Sequence, residues 1–199
     1  MIEKSLFFFY TKNGDNMELD TVINTRRSIR KYTSEDISQN IINQIIEVGL
    51  LAPSAHNRQP WEIAILKEKK DNIVSIMREY GNKHLEDESI LKTADTIERC
   101  NTLLLIYCNN LEQFDYNLLS IGAMIENMLL KATDLKVGSV WIANVVPMQD
   151  EINKLLIIDS NKKKLVSAVA LGYSDYTPQP LTRKTISETI IYTDIIDNR

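Results

Sequence analysis

The run Thr102-Leu103-Leu104-Leu105-Ile106-Tyr107-Cys108 carries no charge and no polar alternation. A strand written this way is apolar on both faces, so it belongs in the interior of a sheet as a buried central strand. Residues 61–66, 137–142 and 165–171 read as three further strands. Helical patterns separate them. Residues 18–25 make a short helix. Ser38 is placed to N-cap a second one, with Ile41, Ile42, Ile45, Ile46 and Leu50 at helical spacing, Gly49 weakening its end and Pro53 stopping it. Residues 71–80 predict a helix closed by Gly81. Residues 83–98 are polar, helical with weak periodicity, and suited to a flexible covering region. The longest helix is expected over 117–135, where Leu118, Ile121, Met124, Ile125, Met128, Leu129 and Ala132 recur at three and four, and Gly122 and Ala123 permit close helix approach. Residues 150–158 form another helix, and the tail 186–196 has extended character. Strands interleaved with helices indicate a layered architecture containing both.

Composition narrows the chemistry. With 199 residues the chain suits one domain with a proper core. Its net charge of −4 gives no general affinity for nucleic acid, and Lys67–Lys70 and Lys162–Lys164 read as solvated turns. Two cysteines, Cys100 and Cys108, and two histidines, His56 and His84, offer neither a disulfide framework nor metal-ligand spacing. Reduced thiols and a cytoplasmic location are expected. No apolar run reaches the roughly 20 residues that span a bilayer.

Two short segments concentrate the polar chemistry. Arg26-Arg27-Ser28-Ile29-Arg30 packs three guanidiniums and a hydroxyl together, and the planar fork of arginine suits phosphate and other planar acceptors. Ala52-Pro53-Ser54-Ala55-His56-Asn57-Arg58-Gln59-Pro60-Trp61 is a proline-bracketed loop crowded with hydrogen-bonding groups between an apolar helix and an apolar strand. Together, in this order, they resemble the R-x-S-x-R and PS-x-x-N-x-Q-P-W elements of the nitroreductase family of flavin mononucleotide (FMN) enzymes. Gly138-Ser139-Val140-Trp141-Ile142-Ala143 and Leu171-Gly172-Tyr173, followed by Pro178-Gln179-Pro180 and Arg183-Lys184, extend the resemblance from about Met17 to the C-terminus. Residues 1–16 then read as an N-terminal extension or arm, with Met17 as a candidate initiator, and 17–199 as the FMN-binding domain.

The resemblance implies an α+β fold, a central mixed β-sheet flanked by helices in an intertwined homodimer. Helix 117–135 would form the dimer seam and the C-terminal tail would embrace the partner. It implies that Arg26, Ser28, Arg183 and Lys184 hold the FMN phosphate, with Arg27 giving backbone contacts, and that Arg30 faces the pyrimidine edge. Pro53, Ser54, Ala55, Asn57 and Gln59 would come from the other subunit to wrap the ribityl chain and ring edge. The stretch around Ile142, Ala143 and Asn144 would approach flavin N5. The implied activity is ping-pong hydride transfer from NADH or NADPH to nitroaromatics, quinones or related electrophiles, with no side-chain acid or base. The alternatives are flavin fragmentation, dehalogenation, or a flavin-binding sensor or storage protein with little turnover. His56 reads as a loop hydrogen-bonding residue, and Trp61, Trp141, Met124 and Met128 as core. Two positions depart from many relatives: Ser174 replaces a proline and Asn144 a glycine. No G-x-G-x-x-G occurs, so no Rossmann-type site is indicated.

Overall fold

A computed structural model of the chain describes residues 17–84 and 88–193. The expected N-terminal arm, residues 1–16, lies outside the described residues, as does the end of the expected extended tail. Helices α1 (Leu19–Thr25) and α2 (Gln39–Leu50) precede strand β1 (Trp61–Leu66). Then come α3 (Lys70–Lys83), α4 (Ser89–Arg99), β2 (Thr102–Cys108), α5 (Phe114–Asp134), β3 (Gly138–Ile142), α6 (Gln149–Leu156) and β4 (Lys164–Gly172). A last turn of helix, α7 (Ile186–Thr189), follows.

The strands lie in the order β1-β2-β4-β3, and β2 is interior as its apolar run requires. All three ladders are antiparallel; the parallel component is a bridge between Ser28 and Ser139. Alternation along β2 explains why the run is unbroken. Leu103, Leu105 and Tyr107 enter the core built with α3, α4 and α6, whereas Leu104, Ile106 and Cys108 enter the core built with α2 and α5. Cys100 and Cys108 are free and buried, and burial pushes the Cys100 thiol up to about 12.

Ser38 caps α2 as expected, its Oγ accepting from the Ile41 N–H at 3.3 Å. Gly49 serves packing as well: a Cβ there would stand 2.5 Å from Met128 Cγ, so this glycine lets α2 approach α5. Gly81 corrects the expected end of α3. The helix runs through it to Lys83, because Leu91 of α4 fills the space a Cβ would occupy, 2.7 Å away. Within the polar 83–98 stretch, the residues from Ser89 on form an amphipathic helix, α4, with Ile90, Ala94 and Ile97 buried against α3.

The first basic run is tethered at both its ends, while Lys162 of the second is an exposed turn residue as expected. Lys67 Nζ donates to Asp36 Oδ1 at 2.8 Å and Ile37 O at 2.9 Å, and Lys70 Nζ to Glu98 O at 2.8 Å. The tail is not extended at 186–189; Thr185 and Glu188 form a capping box that winds one turn of helix there.

Helix α6 ends on Ile157, whose φ of 57° lies in the left-handed region. A β-branched residue is costly there, and its side chain, 94% exposed, has no core contact to lose. Ile157→Gly is expected to raise stability by about 1 kcal/mol, read as a higher urea midpoint at constant m.

Candidate functional site

The arginine segment is fastened to the sheet at several points. Ser28 pairs in parallel with Ser139 at the start of β3, and the Ile29 N–H donates to Ser139 O at 2.9 Å. Farther along, the Thr33 N–H donates to Tyr173 O at 2.9 Å. The Tyr32 hydroxyl donates to Ile29 O at 2.6 Å, and burial pushes its pKa well up. Two glycines make room. A Cβ on Gly138 would stand 2.9 Å from Ile29 Cγ2, and one on Gly172 2.5 Å from the Tyr32 ring. The glycines of two separate sequence motifs thus receive side chains from within a third, Ile29, and from just beyond it, Tyr32.

Within that segment the three guanidiniums do different things. Arg27 turns back on the end of α1, Nη1 donating to Asn24 O and Arg26 O at 2.8 Å each. Its side chain therefore caps α1, beyond the backbone role expected of it. Its Nε is buried without a protein partner. Arg26 lies 3.5 Å through Nε from Glu126 on α5, which leaves its Nη edge for another ligand. Arg30 is exposed, and its Nη1 makes a long 3.4 Å contact to Ser28 O.

Arg30 lines a cleft of about 160 Å³ together with Trp141, Ile142, Ala143 and Asn144 from the end of β3, and Thr93 and Thr96 from α4. Trp141, expected in the core, stands 43% exposed at this cleft. Alternation on β3 buries Val140 and Ile142 and turns Trp141 outward, beside Gly122 of α5. Trp61, Met124 and Met128 are core, as expected. Thr93 and Thr96 are not legible as site residues from the sequence, since α4 looks like a generic polar helix.

The 53–59 loop does not line this cleft. Pro53, Ala55, Asn57 and Gln59 are exposed, and Ser54 is half-buried. The Gln59 N–H donates to Ser54 Oγ at 3.0 Å. His56, Asn57 and Gln59 all have φ near 50° (54°, 55° and 47°), a concentration of left-handed non-glycine residues in one loop. Arg183 and Lys184 are exposed on the segment after β4 and likewise lie outside the cleft. Ser174, standing for the absent proline, stiffens the start of that segment through its Oγ, which donates to Tyr176 O at 3.0 Å and accepts from the Tyr176 N–H at 3.2 Å. Among the described residues no group of His, Cys, Asp or Glu could hold a metal ion, and no helix is long and apolar enough to cross a membrane.

Residues 23–173 match the family model described as "Nitroreductase family". A curated relative from Archaeoglobus fulgidus, named "Putative NADH dehydrogenase/NAD(P)H nitroreductase", is 29% identical over 156 residues, covering 76% of this chain and 83% of that protein. An iodotyrosine deiodinase from Nematostella vectensis is 25% identical over 190 residues, covering 83% of this chain and 71% of that protein. Among solved structures, a Desulfovibrio desulfuricans protein described as a "putative nitroreductase in complex with fmn" superposes with a TM-score of 0.76 at 22% identity. It covers 92% of this chain and 100% of that one. That likeness establishes a shared fold.

Proposed function

The chain belongs to the nitroreductase family, and from that premise we propose that it is an FMN-dependent NAD(P)H oxidoreductase acting on nitroaromatics, quinones or related electrophiles. One observation carries the reading. The Ser28–Ser139 bridge lays the arginine segment along the start of β3, so that Arg30 and the turn at Ile142–Ala143–Asn144 line one cleft.

The donor set fits FMN. A phosphate monoester needs charge-assisted donors, which Arg26 and Ser28 supply at one end of the segment. Arg30, farther along, suits the pyrimidine edge of the ring. FMN, when bound, supplies the hydride chemistry at N5, accepting from NADH or NADPH and donating to the acceptor. Binding, orientation and electrostatic tuning are left to the protein. A cation at Arg30 stabilises negative charge on the ring edge, and the buried wall of Val140 and Ile142 keeps water from one side.

Pro53, Ser54, Ala55, Asn57 and Gln59, with Arg183 and Lys184, lie outside the cleft of their own protomer. A homodimer with FMN at its interface would let a second copy bring the 53–59 loop to the ring, while Arg183 and Lys184 would complete the phosphate site. Exposed apolar side chains support such an assembly: Leu119 of α5 is 79% exposed, and Ile191 and Tyr192 of the tail are fully or largely so. The match to a deiodinase keeps reductive dehalogenation as a second reading of the same site.

The test is the absorption spectrum of the purified protein, before and after each nicotinamide without oxygen. A yellow protein that bleaches rapidly is expected. A colourless protein that takes up no FMN would overturn the flavin reading, and a yellow one that stays yellow would leave a binding protein. Arg30→Ala should lower the flavin midpoint potential more than it weakens FMN binding, because the side chain serves the charge on the ring and not the phosphate. A redox titration with no downward shift would remove that role.

A further inference from the structure

The amide of Asn144 crosses from the turn after β3 to α4. Its Nδ2 donates to Ser89 Oγ at 3.0 Å and to Thr93 Oγ1 at 3.1 Å, residues 55 and 51 positions away in the chain. An amide nitrogen carries two protons, and the two hydroxyls take one each. The turn itself is closed by the Val146 N–H donating to Ala143 O at 3.0 Å, and Val145 is wholly buried in the core. The turn is thus pinned on the core side by Val145 and on the cleft side by Asn144. Thr93 and Asn144 line the same cleft as Arg30, so this clamp forms part of its wall.

Packing holds α4 on its α3 side, where Leu91 seats against Gly81; the edge toward the cleft is held by polar contacts. Its buried apolar residues Ile90, Ala94 and Ile97 pack into the core with α3, and the buried Thr96 lines the cleft, whereas Ser89 is exposed and Thr93 half-buried on the edge toward the turn. Two hydrogen bonds from one side chain give that edge a direction that hydrophobic contact lacks.

We propose that Asn144 is a positioning residue: it fastens the 143–146 turn to α4, and so sets the orientation of the backbone that would face the reacting edge of a bound flavin. The part that concerns flavin rests on the function proposed above. The clamp does not, and the two are tested apart.

Hydrogen exchange on the flavin-free protein tests the clamp, comparing wild type with Asn144→Ala and with Thr93→Val, which at nearly constant shape removes one acceptor of Asn144 together with the Thr93 hydroxyl's own 2.7 Å bond to Ser89 O. Amides of 143–146 and of the first two turns of α4 should exchange about tenfold faster together in Asn144→Ala, the effect of two lost hydrogen bonds. A smaller rise in the same two segments is expected in Thr93→Val, with the β2 and β4 amides unchanged in both. A rise confined to 143–146, or no rise, overturns the clamp. On FMN-loaded protein, Asn144→Ala should shift the flavin midpoint potential while FMN affinity stays within about threefold of wild type, since the phosphate donors are untouched. An unshifted potential overturns the positioning role. A wild-type protein that binds no FMN defeats the proposed function instead, and the exchange experiment still decides the clamp.

Discussion

Arg26→Ala should bind FMN ten- to a hundredfold more weakly than wild type while remaining folded. Losing one charge-assisted bond to a phosphate costs roughly 1.5–3 kcal/mol, which converts to about that range in affinity. Folding should be nearly indifferent. The side chain's contact within the protein is a 3.5 Å approach of Nε to a Glu126 that is itself 46% exposed, and such pairs contribute about 0–1 kcal/mol. Titration by flavin fluorescence gives the affinity. Riboflavin, which lacks the phosphate, provides the internal check: wild type should prefer FMN strongly, and Arg26→Ala should narrow that preference by the same factor. Arg183→Ala should behave alike if its segment reaches the phosphate. Wild-type FMN affinity in Arg26→Ala would remove the phosphate assignment from this segment, whatever holds at Arg30.

Much of the architecture was legible because its signals are local. The β2 run, the helical spacing after Ser38 and the long stripe on α5 each need only their own residues to be read. The errors come where a distant element decides. Gly81 has the local look of a helix stop, yet it serves Leu91, which arrives from α4. Trp141 has the composition of a core residue, yet strand alternation turns it to the cleft. At the site, the arginines and the polar loop stand out by composition. Nothing in the spacing says that Ser28 will pair with Ser139, or that Asn144 will find Ser89 and Thr93. Left-handed backbone at His56, Asn57 and Gln59 was equally hidden, because none of them is glycine.

The Gly138→Ala variant should be strongly damaging, losing stability and FMN together. An added Cβ would stand 2.9 Å from the Gly172 carbonyl oxygen and 2.9 Å and 3.1 Å from Ile29 Cγ2 and Cβ. Neither neighbour yields easily. Gly172 is paired opposite Gly138 in the β3–β4 ladder, and Ile29 is held by its N–H bond to Ser139 O at 2.9 Å. Relief must come from opening the ladder or from lifting the arginine segment off β3. Overpacking of this kind costs about 1–3 kcal/mol, at the upper end where backbone is the obstacle. Lifting the segment displaces Arg26, Ser28 and Arg30 at once, so FMN affinity should fall further than in Arg26→Ala. The comparison variant is Gly122→Ala on α5, where a Cβ would meet Trp141 at an ordinary 3.5 Å. That change removes a helix-interior glycine and should leave stability equal or raise it by up to about 1 kcal/mol. Thermal denaturation of flavin-free protein and FMN titration of each variant give the two readouts. Equal behaviour of the two alanine variants would mean that the close approach of Ile29 to β3 does not hold the arginine segment in place.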